Sequence, residues 1–249
     1  PSPEAIEEVK KIAALPGITM QGIFTHFSEA DIADKEWAHE QHSRFSAFID
    51  ALKGAGVTFN IHHCCNSAGT LELPDFHREM IRPGIIQYGY DASKEVLVTG
   101  TKIKPVMSLR CCITHLKTIY EGDCVGYGRH FTATGPTKIA TLPIGYADGY
   151  NRALSSKIDV IVHGVRAHQV GNICMDQCMI DVSHIPDVKV GDEVVLFGEQ
   201  GSECVSADEI ADTCHTIIHE ITCNINRRVP RIYVQNGKIV QRLEYLTQS

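Results

Sequence analysis

Several polar side chains fall at predicted strand ends in the first ninety residues, the position at which parallel β/α barrels build their active sites. His26 follows the first predicted strand, Asn66 and Ser67 follow the second, and Arg82 lies in the third. Taken singly, each fits a structural role, since a histidine at a strand end is most often a satisfied structural residue. Their repetition at equivalent positions predicts one shared site.

Two of these segments predict a phosphate-binding loop. Ser67 lies at the start of a short predicted helix, whose first backbone N–H groups have no partner within the helix. Gly84 follows Pro83 at a point where the absence of a side chain permits close approach to a ligand. A hydroxyl and free N–H groups beside a glycine are the donors that a phosphate requires.

Two further polar segments lie in the second half of the chain. Tyr127 lies between Gly126 and Gly128, so its phenol can project from an exposed turn. Tyr146 lies in another glycine-containing segment, and Cys174-Met-Asp-Gln177 forms a polar loop after a strand. A tyrosine in a glycine-rich turn is usually structural, so these residues alone predict no particular reaction.

Alternating helices and strands are predicted to position the first group of residues. The predicted elements are a helix from Ser2 to about Leu15, a strand over 18–25, a helix with an apolar stripe at Phe45, Phe48, Ile49 and Leu52, a strand over 57–63, a helical piece over 67–73 and an apolar run over 80–89. This alternation indicates α/β architecture. Three parallel strands cannot close a barrel of eight, so we expect part of a larger barrel and a chain that is a fragment.

The texture changes to β-rich runs from about residue 101. Predicted strands cover residues 116–120, 137–144, 159–163, 179–182, 193–198 and 232–240, and one clear helix begins at Ser206. The change predicts a domain boundary near residue 98. Residues 1–98 are then a partial barrel, and residues 99–249 are a β domain.

Composition excludes several classes of protein. With 23 Lys+Arg against 30 Asp+Glu, the formal charge is −7, which disfavours nucleic-acid binding. No run approaches the ~18 apolar residues of a membrane-spanning helix. Ten cysteines in 249 residues are typical of reduced cytosolic thiols rather than a disulfide scaffold. We expect no metal site, because Cys174-x3-Cys178 has no matching second pair.

Seven motifs follow one another along nearly the whole chain. They are Thr25-His-Phe27, Asn66-Ser-Ala68, Ile81-Arg-Pro-Gly84, Gly126-Tyr-Gly-Arg129, Leu142-Pro-Ile-Gly-Tyr-Ala-Asp-Gly149, Cys174-Met-Asp-Gln177 and Arg228-Val-Pro-Arg231. In this order they closely resemble the bacterial alanine racemases, over the C-terminal two-thirds of that family. The resemblance implies an α/β plus β fold, in which the second half of a pyridoxal-phosphate-binding (β/α)8 barrel precedes a C-terminal β-rich domain.

The resemblance also implies an activity. The family interconverts L- and D-alanine through a Schiff base to pyridoxal 5′-phosphate and supplies D-alanine for peptidoglycan in the cytoplasm. Racemisation requires a base on each face of the reacting carbon. In the family these are the Schiff-base lysine and a tyrosine from the other subunit of a head-to-tail homodimer, which corresponds to Tyr127. A phenol of pKa about 10 needs positive charge nearby to lower its pKa before it can act as a base at neutral pH. In the family, hydrogen-bonded residues link this tyrosine to the pyridine nitrogen, and His26 and Arg82 correspond to them.

The resemblance assigns the other site residues in the same way. The implied cofactor contacts are Asn66, Ser67, Arg82, Gly84, Ile85 and His219. The implied substrate contacts are Met175, Asp176 and Tyr146. The substrate is a small amino acid, alanine or serine, with no nucleic acid and no membrane contact.

The chain departs from the family at three points. No lysine has the context of the Schiff-base lysine, so we expect this chain alone to be inactive. His219 replaces a family tyrosine and Asn172 replaces an arginine, which leaves a serine racemase as the second hypothesis. The third hypothesis is a lysine-less binding or regulatory module. A basic-residue decarboxylase of similar architecture is a weaker fourth.

Overall fold

The computed structural model describes residues 2–95 and 103–246. The chain divides into two compact units, Pro1–Val106 and Met107–Ser249. The predicted boundary near residue 98 lies outside the described residues. None of the described helices is both long and apolar enough to cross a membrane.

The described part of the first unit contains helices and a two-stranded sheet. The helices are Pro3–Ala13 (α1), Glu36–Gly54 (α2) and Ser67–Glu72 (α3), the strands are Gly22–Phe24 (β1) and Ile61–His63 (β2), and 3₁₀ turns cover Pro74–Phe76 and Ile85–Tyr88. The two strands pair in parallel, with Phe24 opposite His63. The carboxyl ends of β1 and β2 are therefore adjacent.

Local sequence explains the helices of this unit. Ser2 and Asn66 cap α1 and α3, because their side-chain oxygens accept from backbone N–H groups three residues later. The apolar stripe predicted for α2 is confirmed, since Phe45 and Leu52 are buried. The main buried cluster comprises Phe27, Ala30, Ala38, Phe45, Cys64, Cys65, Ala68 and Leu73.

The structure corrects the predicted strands of the first unit. Both confirmed strands shorten to three residues each, β1 and β2. The third predicted strand is wrong, because the segment over 80–84 forms no strand. Pro83 has no N–H to donate to a ladder, and the N–H of Arg82 donates instead to the Cys65 carbonyl at 2.9 Å. Arg82 is thus held in an irregular segment just beyond β2.

The second unit is built around an antiparallel sheet. Its strands are Leu109–Cys112 (β3), His115–Ile119 (β4), Cys124–Val125 (β5), Phe131–Thr132 (β6), Thr137–Leu142 (β7), Asp159–Val162 (β8), Val165–Val170 (β9), Cys178–Asp181 (β10), Glu193–Gln200 (β11), Glu203–Val205 (β12), Arg231–Gln235 (β13) and Lys238–Leu243 (β14). Two helices, Ala207–Thr213 (α4) and Ile218–Asn224 (α5), follow β12. The main sheet has the order β12-β11-β8-β9-β10-β7-β4, with β3 on β11. Val160, Ile161, Ile180 and Leu196 are fully buried in its core.

Most strands predicted for this unit are confirmed to within two residues, but two predictions are wrong. The run over 232–240 is a hairpin of β13 and β14, turned by Asn236 and Gly237 at positive φ. A second helix, α5, lies between α4 and this hairpin, with Ile218 and Ile221 buried. This helix is only two turns long, so its period was too short to be recognised.

Candidate functional site

Arg82 is the centre of a polar cluster at the ends of β1 and β2. Its Nη2 donates to the Thr25 carbonyl at 3.0 Å and to Nδ1 of His26 at 3.4 Å, and its Nη1 donates to Nδ1 of His63. The guanidinium also lies 5.2 Å from the ring centroid of Phe24. The structure therefore brings together the predicted His26 and Arg82.

His63 is a member of this cluster that the sequence did not identify. Its ring stacks on Phe24, with centroids 5.2 Å apart. Burial, and then the Arg82 guanidinium, lower the pKa of His63 below the usual 6.5. The Nδ1 atom of a neutral His63 can accept a hydrogen bond from the Nη1–H group of Arg82, so the two side chains are matched donor and acceptor. The available signal was its position, since His63 ends β2 much as His26 follows β1.

A second cluster joins the start of α3 to the segment after Arg82. Asn66 caps α3 by accepting from the N–H of Gly69 at 3.0 Å. The hydroxyl oxygen of Ser67, which is 6% exposed, accepts from the N–H of Gly84 at 2.8 Å. Ile85 then opens a 3₁₀ turn, and the first N–H groups of such a turn have no partner within it. Four of the six predicted cofactor contacts, Asn66, Ser67, Gly84 and Ile85, therefore lie in these two adjoining segments.

Tyr127 lies on a turn in the second unit. The turn follows β5, and Tyr127 is 78% exposed. Gly126 and Gly128 have φ of 72° and 77°, a conformation that side chains disfavour. An added Cβ at Gly128 would lie 2.5 Å from the His130 ring. The predicted projecting phenol is thus what the backbone presents.

The Cys174–Gln177 loop is fixed by backbone contacts with the segment after β7. The N–H of Tyr146 donates to the Cys174 carbonyl at 3.1 Å, and that of Ala147 donates to the Met175 carbonyl at 3.0 Å. Within residues 2–95 and 103–246, the N–H of Met175 has no protein acceptor. This free N–H on a rigid loop suits a carboxylate ligand.

Arg228 adds side-chain contacts to the same loop. Its Nη2 donates to Asp176 at 2.7 Å, and its Nε lies 3.4 Å from the carboxylate of Asp148. Asp148 is buried and also accepts from the N–H of Gly145 at 2.9 Å. The sequence singled out Arg228 only within a motif, and its structural partners lie far away in the chain. His219, by contrast, is exposed on α5.

The first-unit residues fit pyridoxal phosphate in donor chemistry. The Nε–H of Arg82 has no protein acceptor in the part of the chain that the structure describes, so it is available to a ring nitrogen. Ser67 and the N–H groups beginning the turn at Ile85 suit a phosphate. Lys35 is committed elsewhere, because its ammonium pairs with Glu72 and donates to the Ala30 carbonyl. These donors match the groups that the ring nitrogen and the phosphate of this cofactor require.

Comparison with known proteins gives the family. The model described as "Alanine racemase, N-terminal domain" matches residues 1–92, and "Alanine racemase, C-terminal domain" matches residues 106–233. Alanine racemase 1 of Clostridium acetobutylicum is 45% identical over 246 residues, which are 99% of this chain and 64% of that protein. The chain belongs to the alanine racemase family.

Solved structures show the same similarity. The alanine racemase of Clostridium difficile 630 in complex with cycloserine superposes with a TM-score of 0.92 at 41% identity, over 98% of this chain and 64% of that one. The alanine racemase from Bartonella henselae with covalently bound pyridoxal phosphate gives 0.79 at 27% identity, over 94% and 62%. The chain has this fold, a barrel-like part followed by a β domain.

The match covers only part of the length of the relatives. The chain spans about 64% of the length of the curated relative. The N-terminal domain model matches residues 1–92 in addition to the C-terminal match over 106–233, so the prediction that the resemblance covers only the C-terminal two-thirds of the family is not borne out.

Proposed function

We propose that the intact protein is a pyridoxal 5′-phosphate-dependent alanine racemase, which interconverts L- and D-alanine and supplies D-alanine for peptidoglycan. The observation that carries this proposal is the Arg82 guanidinium, held between His26 and His63 with its Nε–H free. A guanidinium keeps its proton under ordinary conditions. Arg82 therefore leaves a ring nitrogen bound to it unprotonated, which favours racemisation over transamination.

Pyridoxal phosphate, when bound, supplies an electron sink for the charge left by removal of a proton next to a carboxylate. The residues of the first unit hold it at two ends. Arg82 would bind the ring nitrogen, and the Ser67 hydroxyl with the N–H group of Ile85 would bind the phosphate. The N–H of Gly84 is used within the chain, where it holds the Ser67 hydroxyl in place. The cap on α3 supports this arrangement, because Asn66 fixes the helix end that carries Ser67. His219 is the further phosphate contact that the family pattern assigns.

The residues of the second unit bind the substrate and move its proton. The free N–H of Met175 binds the substrate carboxylate, and Asp176, held by Arg228, keeps the loop in place. Tyr146 borders the same loop through its N–H. Tyr127 is the second base, and its exposed phenol is available to a neighbouring subunit.

We further propose a head-to-tail homodimer in which each β domain completes the partner's site. Residues 1–98 then correspond to the second half of a (β/α)8 barrel and residues 99–249 to the C-terminal domain. The parallel pair of β1 and β2, which lies among helices in the chain order, supports the assignment of the first unit to a barrel. All ten cysteines are free thiols in the described residues, which supports a reducing compartment such as the bacterial cytoplasm.

The activity is tested with the intact protein and pyridoxal phosphate. We expect L-alanine to lose optical rotation, with D-alanine as the product, and expression to rescue a bacterial strain that requires D-alanine. A cofactor-loaded protein that leaves both alanine enantiomers unchanged would refute the proposal.

The shared site is tested separately by mixing variants. Tyr127→Phe keeps the ring and removes the base, so racemisation should fall by at least ~100-fold. Mixing these protomers with protomers that lack the Schiff-base lysine creates one hybrid site with both defects and one with neither. Activity should therefore return on mixing. Demonstrated subunit exchange without recovery would show that Tyr127 does not act in the partner's site.

Serine is the alternative substrate, favoured by the exposed His219 on α5. An imidazole in place of a phenol changes the size and polarity of the entrance. Comparing kcat/KM for L-serine and L-alanine decides between the two, and a higher value for L-serine would assign the protein as a serine racemase.

A further inference from the structure

The turn that carries Tyr127 has little internal support. Gly126, Gly128 and Arg129 all have positive φ, of 72°, 77° and 52°. The turn is closed by one long backbone hydrogen bond, from the N–H of Arg129 to the Gly126 carbonyl at 3.4 Å. A second contact, from Nε of Arg129 to the sulfur of Cys124 at 3.3 Å, ties the turn back to β5. Neither contact involves Tyr127 itself.

Asn172 holds Tyr127 through a hydrogen bond from outside the turn. Its Nδ2 donates to the Tyr127 main-chain carbonyl at 2.8 Å, across 45 positions of sequence. Its backbone also packs on Gly126, where an added Cβ would lie 3.4 Å from the Asn172 nitrogen. The carbonyl fixed in this way belongs to the residue whose phenol is the proposed base.

The position of Asn172 is itself rigid. Its neighbour Gly171 lies so close to β5 that an added Cβ would be 2.8 Å from the Val125 carbonyl. Its other neighbour, Ile173, is 1% exposed. Because both flanking residues are fixed against the body of the unit, the Asn172 amide is a firm point of attachment for an otherwise weakly held turn.

We infer that Asn172 is a positioning residue for Tyr127. By holding the Tyr127 main-chain carbonyl, Asn172 fixes the direction from which the phenol approaches the substrate. The inference rests on the proposed function. It also gives Asn172 a role apart from the choice between alanine and serine, because its side-chain N–H is used within the second unit. The contact needs an N–H donor, so a carboxylate or an aliphatic side chain of the same shape cannot replace it.

The kinetic test uses the intact cofactor-loaded protein with Asn172→Leu and Asn172→Asp, which keep the shape and remove the donor. One ordinary hydrogen bond corresponds to a loss of about 3- to 10-fold in kcat/KM. Asn236→Asp on the β13–β14 turn is the matched control, since it adds the same charge at a site that accepts Asp. It should leave activity unchanged.

Isotope effects separate positioning from a general structural role. With α-deuterated L- and D-alanine, a displaced Tyr127 slows proton transfer for the enantiomer whose proton it removes. The isotope effect on kcat/KM should therefore rise more for that enantiomer than for the other in both variants. Equal changes for both enantiomers, an effect confined to Asn172→Asp, or no effect would overturn the inference.

A spectroscopic test is independent of activity. 3-Fluorotyrosine placed at position 127 of the intact protein reports the ring's surroundings by fluorine NMR. We expect Asn172→Leu to narrow the resonance and move it toward that of free fluorotyrosine, as the turn loosens. An unchanged resonance would overturn the inference. A changed resonance in a protein that does not racemise alanine would sustain the contact and refute the proposed function instead.

Discussion

Gly145→Ala tests how tightly the Cys174–Gln177 loop, the proposed substrate-binding loop, is built. Gly145 has φ −153° and ψ −163°, an extended conformation that alanine adopts freely. The effect of the substitution is therefore steric. The added Cβ would lie 2.1 Å from the Cys174 carbonyl oxygen and 2.4 Å from that of Met175, whereas ordinary contacts begin at 3.4 Å.

The loop must therefore move by more than about 1 Å, because both close atoms belong to its backbone. A displacement of that size at a binding group costs on the order of 100-fold in rate. The shift also strains the bonds from Tyr146 and Ala147 to the loop carbonyls. Overpacking of this kind destabilises by about 1–3 kcal/mol.

The assay measures kcat and KM for L-alanine, together with the melting temperature, in the intact protein. We expect kcat/KM to fall about 100-fold and the melting temperature to fall. Gly135→Ala is the matched control, because its added Cβ meets nothing within 4 Å, and it should be active and equally or slightly more stable. A Gly145→Ala protein that matches the control in rate and stability would refute the reasoning.

Three further predictions concern the proposed cofactor site and the polar cluster around Arg82. Ser67→Ala should weaken pyridoxal phosphate binding by about 10-fold or more, because it removes a donor to a charged phosphate; equilibrium titration checks this, with the exposed Ser43→Ala as the unchanged control. His63→Gln should reduce the loss of stability on acidification. The pKa of His63 is lower in the folded state than its usual 6.5, so the unfolded state binds more protons and stability falls as pH drops below about 6.5. Melting temperatures measured between about pH 5 and 8 should therefore fall less steeply toward low pH in the variant. An unchanged pH dependence of the melting temperature would contradict a lowered pKa for His63. Residues 1–249 alone should form no borohydride-reducible adduct with pyridoxal phosphate at one defined lysine, because no lysine of this sequence has the context of the family's Schiff-base lysine; peptide mapping after borohydride reduction checks this.

The site was predictable from the sequence where a motif places a residue at a particular local position. Ser67 begins α3, and Tyr127 lies between two glycines in a turn, as the sequence predicts. His63 and Asn172 could not be assigned in this way. Each acts through a partner far along the chain, Arg82 and Tyr127 respectively, and local pattern carries no information about such pairs.

By itself, the sequence determined most of the local elements and the order of the two parts. Apolar periodicity, caps such as Asn66 and turn residues act over a few positions, so they can be recognised without knowledge of the fold. The tertiary structure alone decided that Arg82 lies outside the sheet and between two histidines, and that Arg228 fixes Asp176. These contacts depend on strand pairing and on the packing of loops from distant parts of the chain. Their geometry is therefore set only when the whole unit has folded.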